Sequence, residues 1–383
     1  MWLTRITRDS LLFLIIIYFA QETLDIQGSI ISQMTFALII LISSVFFVKC
    51  FLLKEKRNNF FRAWTILLLV NIFGFIFTGE LSDSNHLGMF KGIILTLLSF
   101  YPFYYFSAVG QIHKRQFIWM FFILLPMSIY QFFIKESELI MAKVSNSTNV
   151  VNNVAYKFVA LMPFVFLIKR SKLLSAALML LLFVFIVQGA KRGAMISGSL
   201  GIICFFFYQI FSVDKRKRAI GYFLGFLTFV VLALYAYYTY TQNEFLVARM
   251  ESIGEGNSSG RDEIYLSILN AWYNSDNIFT LLFGFGFAGS IQISGGTYAH
   301  NDWLELLSNF GLVGVAIYLY LFYSVVKYSL NKNWTLDKRV VLITIILLWS
   351  FATLFSMWYT SLNGCTPAIL LGYIMGSKKN YLL

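Results

Sequence analysis

The chain has 383 residues, of which 58% are hydrophobic and 13% are charged, and its mean hydropathy is +0.72. A soluble domain carries about 25% charged residues, so this composition excludes an ordinary soluble fold, which could not bury so much apolar surface. The net charge of +12 does not indicate nucleic-acid binding, because the basic residues stand in short clusters between long apolar runs. Such clusters encode membrane topology. We therefore expect a polytopic membrane protein with no nucleic-acid partner.

Apolar runs long enough to cross a bilayer, about 20 residues each, divide the chain into about twelve predicted transmembrane helices. They are expected to be helices because backbone polar groups must be paired inside a bilayer. The predicted fold is therefore an all-α, polytopic membrane protein in which residues 1–383 form one integral membrane domain. The first run lacks a small-residue cleavage site, so we expect it to be retained as a span. The spans lie near 10–26, 30–53, 63–79, 88–109, 116–134, 154–168, 172–189, 193–211, 219–240, 303–326, 339–357 and 362–376.

Basic residues are distributed unevenly between the two sides of this predicted topology. With the N-terminus inside, most of the 30 Lys and Arg residues fall on the inner side and most acidic residues on the outer side. This bias predicts a multi-pass protein of the plasma membrane with both termini in the cytoplasm. The longest outer connection, residues 241–302, contains a helical apolar period in 263–275. We expect a large outer loop with short helices, forming a cap on the helix ends.

The chain offers no pattern typical of a metal or nucleotide site. Its three cysteines, Cys50, Cys204 and Cys365, lie in apolar segments and are expected to be small buried hydrophobic residues. No His, Cys and Asp cluster has metal-ligand spacing, so we predict neither a metal nor a cofactor. The stretch "GFGFAG", residues 284–289, matches a dinucleotide fingerprint but lacks the surrounding βαβ unit. We interpret it as a flexible turn of the outer loop.

Lys191 and Arg192 break the charge rule, because they stand on the outer side where a predicted helix begins, in "VQGAKRGAMISG". One reading is that both side chains reach for lipid headgroups. The other is anion binding, because the first turn of a helix favours anions and a guanidinium group suits phosphate oxygens. Arg249, in "VARMES", is a weaker basic candidate.

Arg261, in "NSSGRDEIY", precedes the apolar period of the outer loop. A surface salt bridge to Asp262 or Glu263 would contribute little. The alternative is a second phosphate-binding guanidinium group, at the start of a helix that Ser258 or Ser259 caps.

His300 stands where the tenth predicted span begins, in "TYAHNDWLELLSNFGLVG". A neutral imidazole there could accept a proton, because its ordinary pKa is about 6.5. On a continuous helix, Gly311 and Gly314 would lie within about 20° and 40° of His300, which would let another helix or a lipid tail approach that face. The alternative is an interfacial histidine that caps the helix, beside ordinary packing glycines.

With these motifs, the chain resembles the superfamily of O-antigen ligases and O-antigen polymerases, which assemble bacterial surface polysaccharides. Its signature is His, then Asn, Ser or Gln, nine residues, Gly, two residues, then Gly, Thr or Tyr. Here it reads His300-Asn301, nine residues, Gly311-Leu-Val-Gly314. The family also carries an Arg-Gly pair that opens an outer helix, a Gly-Arg pair in the loop, and a Gly-x-Gly stretch before the histidine. These correspond to Arg192-Gly193, Gly260-Arg261 and Gly284-Phe-Gly286.

The resemblance implies a glycosyltransferase that works at the periplasmic face of the bacterial inner membrane without a metal. The donor would be a glycan on undecaprenyl diphosphate. The acceptor would be another lipid-linked repeat unit for a polymerase, which we favour, or the lipid A core for a ligase. The partners that the resemblance implies are membrane lipids and a protein that regulates chain length. His300, Arg192 and Arg261 would be catalytic, and the substrate-binding residues would be Lys191, Arg249, Asn301, Gly311 and Gly314.

Three points stay open from the sequence. Asn301, Asp302 or Glu305 could hold the imidazole tautomer of His300, and the sequence does not choose among them. A transporter of lipid-linked oligosaccharides is an alternative, but it would carry polar groups at mid-bilayer, where the predicted spans have almost no charge. A structural scaffold is the other, and it predicts that removing His300 leaves the surface glycan unchanged.

Overall fold

The computed structural model describes residues 2–24, 26–53, 58–144, 152–168, 171–212, 218–242, 260–331, 334–360 and 362–377. These ranges are helical and contain no strand. The helices are α1 (Trp2–Phe19), α2 (Ile30–Leu52), α3 (Asn59–Thr78), α4 (Ser84–Leu98), α5 (Phe100–Ala108), α6 (Lys114–Val144), α7 (Ala155–Val165), α8 (Lys172–Gln188), α9 (Arg192–Phe211), α10 (Arg218–Gln242), α11 (Arg261–Tyr273), α12 (Ile278–Phe283), α13 (Gly289–Ile293), α14 (Asp302–Ser329), α15 (Leu336–Phe355) and α16 (Cys365–Gly376).

Seven segments of the described chain are long and apolar enough to cross a membrane. They are Ile30–Leu52, Asn59–Thr78, Ser84–Ala108, Lys114–Glu138, Arg192–Phe211, Asp302–Ser329 and Leu336–Phe355. Shorter apolar helices are Ala155–Val165, Lys172–Gln188, Gly221–Tyr235 and Cys365–Gly376. The expectation of an all-α, polytopic membrane protein is confirmed at this level, and the number of twelve crossings stays a prediction.

Several predicted spans have different bounds in the structure; the span predicted at 116–134, for example, lies in α6, which continues to Val144. The first helix covers Trp2–Phe19 instead of 10–26, so it includes the polar residues before the apolar run; there the Arg8 guanidinium donates to Asp9 and to the carbonyl of Gln111. The span predicted at 88–109 is divided into α4 and α5 at Ser99. Pro102 explains the break, because it has no N–H to donate to the carbonyl four residues earlier.

The core lies around α16, whose twelve residues are all buried. Gly372 and Gly376 face the backbone of α5 so closely that a Cβ at either position would collide with the carbonyl oxygens of Phe100 and Tyr104. Small residues allow such close helix contact in membrane proteins. A helix of twelve residues is too short to cross a bilayer alone, since a crossing needs about 20. Neighbouring helices, α5 among them, therefore bury α16 on all sides.

Candidate functional site

Several helix ends meet at one end of the bundle, which we call the His300 end. Arg261, the first residue of α11, donates from Nη1 to the Phe355 carbonyl at the end of α15, at 2.6 Å. Asn301, just before α14, donates from Nδ2 to the neighbouring Leu354 carbonyl, at 3.1 Å. These bonds join the starts of α11 and α14 to the last carbonyl groups of α15, which need such partners.

His300 lies before α14 and has the left-handed φ of 51°. The helix is capped by Asn301, whose Oδ1 accepts the backbone N–H groups of Trp303 at 2.9 Å and Leu304 at 3.2 Å. The capping interpretation of His300 is therefore wrong. So is the expectation that His300 shares a helical face with the glycines of its motif, since His300 is outside the helix.

The surroundings of His300 favour a neutral imidazole. The residue is exposed at the surface. Desolvation of the ring by the surrounding protein nevertheless lowers the pKa of the imidazole, and the positive charges of Arg261 and Lys191 lower it further. Because the ordinary pKa is about 6.5, the ring is neutral at pH 7 and can accept a proton.

Arg261 differs from the sequence prediction in the cap of its helix and in the partner of its side chain. The N-cap of α11 is Gly260, with a φ of 77° and no side-chain cap; Ser258 and Ser259, predicted as caps, lie outside the described residues. The guanidinium group binds a backbone carbonyl of α15 rather than serving only a surface pair with Asp262 or Glu263. This places its charge beside His300.

The start of α9 supplies the second basic position. The predicted helix start at Arg192 is confirmed, and its N-cap, Lys191, makes no side-chain cap hydrogen bond. Ala190, directly before it, has a left-handed φ of 50°. Lys191 is the residue of this turn whose charge acts on His300. Arg192 is half-buried, and its catalytic role stays a prediction.

Two tyrosines lie with His300, Lys191, Arg192, Arg261 and Asn301, and we call these residues together the cluster. The sequence did not identify either tyrosine. The hydroxyl of Tyr156, in α7, occupies the space that a Cβ on Gly193 would need, and it interacts with Ser356 and Arg261. The hydroxyl of Tyr265, in α11, lies beside the side chains of Arg261 and Asn301. Both positions read as ordinary apolar positions of a helix, so the sequence carries no signal for them.

Asp302 and Glu305 are buried structural residues. Asp302 accepts the Tyr318 hydroxyl at 2.8 Å and the Trp358 backbone N–H at 3.1 Å. Glu305 accepts the Ser290 hydroxyl at 2.6 Å and the Ala299 N–H at 2.7 Å. Their hydrogen bonds go to these groups, so the hypothesis that one of them orients the imidazole receives no support. Their hydrogen bonds instead join the residues before and after His300 to the rest of the bundle.

The glycines of the motif lie at a kink. Gly311 interrupts α14 with φ 59° and ψ −152°. A Cβ at Gly311 would lie 2.5 Å from the Leu282 carbonyl carbon, so α12 rests directly on this backbone. A Cβ at Gly314 would lie 2.6 Å from the Phe310 Cβ. Both glycines therefore have a packing role, and their part in substrate binding stays a prediction. Arg249 lies outside the described residues.

The "GFGFAG" stretch packs against the same kink instead of hanging free. A Cβ at Gly284 would lie 2.5 Å from the Phe310 backbone nitrogen, and the Phe285 N–H donates to the Ser308 carbonyl at 2.7 Å. The Phe287 N–H donates to the Thr78 hydroxyl at 2.7 Å, at the end of α3. The interpretation as a flexible turn is replaced by a turn that is packed against two helices.

We expect Gly311→Ala to destabilise the protein strongly. The substitution combines a left-handed backbone with a collision against α12, and a strained backbone alone costs about 1–3 kcal/mol. Thermal unfolding of the purified protein in detergent measures the loss. Gly88→Ala is the matched control, because a Cβ at Gly88 meets nothing within 4 Å. Equal melting temperatures for the two variants would contradict the packing role.

The cluster suits an anionic oxygen group beside a proton acceptor. Helices α9 and α11 begin without a side-chain cap, at Arg192 and Arg261, and a helix start carries partial positive charge. The charges of Lys191 and Arg261 act on His300. Among the residues that the structure describes, no group of three His, Cys, Asp or Glu residues could hold a metal ion. The positive charge at this site comes from side chains and helix ends.

No protein-family model matches the chain, and a search of curated proteins finds no match. The resemblance to the O-antigen superfamily therefore depends on the sequence motifs and on the predicted topology, in which about twelve spans surround one large outer loop.

Proposed function

We propose that this protein is a membrane glycosyltransferase that moves a glycan from undecaprenyl diphosphate to an acceptor hydroxyl, and that it is a polymerase of surface polysaccharide. The observation that supports this is that Arg261 and Asn301, the neighbour of His300, bind successive carbonyl groups at the end of α15, so that basic charge lies near the His300 imidazole and lowers its pKa. A diphosphate leaving group needs positive charge, and a hydroxyl nucleophile needs a proton acceptor. The His300 end offers both.

The proposed reaction is a single displacement at the anomeric carbon of the donor sugar. The acceptor hydroxyl oxygen forms the new bond and gives its proton to the His300 imidazole. The bond from the anomeric carbon to the diphosphate oxygen breaks, and its electron pair stays on undecaprenyl diphosphate. Lys191, Arg261 and Arg192 stabilise this charge, which is usually the largest contribution to catalysis of this kind. Attack opposite the diphosphate inverts the sugar.

We place the reaction at the periplasmic face of the inner membrane, with both termini in the cytoplasm. The distribution of Lys and Arg between the loops supports this orientation. Donor and acceptor would both be held in the leaflet by their lipids, which lowers the entropic cost of their encounter. A chain-length regulator is the proposed protein partner.

The polymerase assignment predicts a specific surface phenotype. In a strain that lacks the gene, gel electrophoresis of lipopolysaccharide should show lipid A core with one repeat unit, because single units are still ligated. Core with no repeat unit would indicate a ligase instead. Accumulation of units on the cytoplasmic leaflet would indicate a transporter, and an unchanged banding pattern would contradict every glycan-related function.

The pH dependence of transfer should follow the lowered pKa of His300. The rate is expected to fall on acidification, below the ordinary imidazole pKa of about 6.5, as the ring takes up a proton. Lys191→Met removes a positive charge that lowers this pKa, so the acidic limb of the kcat/KM profile should move to higher pH. An acidic limb at the same pH in both proteins would mean that Lys191 does not act on the titrating group.

A further inference from the structure

Helices α11 and α12, residues 261–283, form a pair that we call the α11–α12 hairpin. The Trp272 indole of α11 donates to the Leu281 carbonyl of α12 at 3.1 Å. The outward side of the hairpin is apolar: Leu266 is 58% exposed, Tyr273 79% and Phe279 68%. Leu269, Ile278 and Phe283 are exposed with them. Protein surfaces in water rarely carry so many large, exposed apolar side chains on two paired short helices, which indicates an apolar environment around the hairpin.

The depth of α12 follows from its contact with α14. Gly311, on which the Leu281 and Leu282 backbone rests, divides α14 at the kink, so the 18 residues 312–329 form the unbroken helix beyond it. At 1.5 Å per residue this helix is about 27 Å long, slightly less than the hydrocarbon thickness of about 30 Å. A helix of this length that crosses the hydrocarbon core begins at or inside its boundary, so Gly311 lies at that depth.

Helix α3 gives the same depth independently. Its 20 residues extend about 30 Å, which matches the hydrocarbon thickness, and Thr78 ends it at the His300 end. Gly74, one turn before that end, faces the ring of Phe310, the neighbour of Gly311. The Phe310 and Gly311 level of α14 is thus about one turn inside α3.

The apolar side of the hairpin continues onto these two membrane-spanning helices. Exposed apolar side chains near the contact are Phe73, Ile76 and Phe77 of α3 and Leu312 and Val313 of α14. Such side chains on a membrane-spanning helix face acyl chains. The hairpin surface and this lipid-facing surface are adjacent, because Gly74 faces Phe310 and Gly311 faces Leu282.

We propose that the α11–α12 hairpin is immersed in the acyl chains of the membrane leaflet at the His300 end. The hairpin is then a lipid-binding element, and it does more than rest as a cap on the helix ends, as the sequence predicts. Its polar strip, with Glu263, Ser267 and Asn270, faces the headgroups and water. Arg261 is the first residue of the hairpin, so its guanidinium group and the nearby His300 are held close to the membrane surface. This inference does not depend on the proposed glycan transfer.

Site-directed spin labelling tests the immersion. Cysteine replaces Phe279 in one variant and Tyr273 in another; the protein is labelled and reconstituted in nanodiscs of phosphatidylethanolamine and phosphatidylglycerol. We expect collisions with oxygen to exceed collisions with a water-soluble nickel chelate several-fold more than at the polar-strip control, Ser267→Cys. Leu312→Cys is the lipid-facing reference, and the wild-type protein measures background labelling of its own cysteines.

Two results would overturn the proposal. One is a ratio at Phe279 and Tyr273 equal to that at Ser267, which would place the hairpin in water. The other is an immobile label that meets neither reagent, which would mean that a second copy or another protein covers the surface. Neither measurement requires activity, so a failure here is distinguishable from a failure of the proposed function.

Discussion

His300→Asn is expected to lower glycan transfer by a factor of about 10²–10⁴, the usual contribution of a general base. Asparagine tolerates the left-handed φ of 51° at this position, and it cannot take up a proton at neutral pH. The backbone turn before α14 is therefore preserved while the proposed base is removed. The measurement is the single-turnover rate of the purified protein with a synthetic undecaprenyl-diphosphate-linked glycan.

His113→Asn is the matched control for this experiment. His113 is exposed and precedes α6, on the predicted cytoplasmic side, so its substitution should leave the rate unchanged. Thermal unfolding of both variants separates loss of the base from loss of the fold. A His300→Asn protein with the wild-type rate and the wild-type melting temperature would remove His300 from the reaction.

Arg261→Ala is expected to lower the rate by a factor of about 10²–10³, the effect of removing one group that stabilises developing charge. The physical reason is that the guanidinium charge, which acts on His300, is well placed for the diphosphate that leaves. Because this charge develops mainly in the transition state, kcat should fall more than KM rises. Arg261→Lys should recover only part of the rate, since an ammonium group keeps the charge but lacks the bidentate geometry.

Glu263→Gln is the control for position, because Glu263 is in the same turn of α11 and is exposed. Arg261 also holds the Phe355 carbonyl, so a purely structural role has to be distinguished. A structural role would lower the melting temperature of Arg261→Ala and leave kcat of the folded fraction unchanged. That combination would contradict the assignment of Arg261 to the diphosphate.

The helical architecture follows from local patterns. Apolar runs predicted α2, α3, α8, α9 and α15 within a few residues, because burial in lipid and backbone pairing act on each run separately. The start of α9 at Arg192 and the helical period of α11 are likewise local properties. The first helix begins eight residues earlier than the apolar run predicts, in a polar stretch where Arg8 reaches the distant Gln111 carbonyl.

The details of the site depend on contacts between distant parts of the chain. The kink at Gly311 exists against the backbone of α12, and Asp302 is buried because the Trp358 N–H and the Tyr318 hydroxyl reach it. A sequence pattern shows neither partner. The continuous helical wheel that aligned His300 with Gly311 failed for the same reason.

The sequence by itself determined that this chain forms apolar helices, and that basic residues and a histidine precede or begin some of them. Only the tertiary structure decided that the charges of Lys191 and Arg261 act on His300. The physical reason is that helix formation depends on neighbours within one turn, whereas their meeting depends on Arg261 and Asn301 binding the last carbonyl groups of α15, which are far away in the chain. Every helix ends in such carbonyl groups, so no residue type marks the ones that will be used.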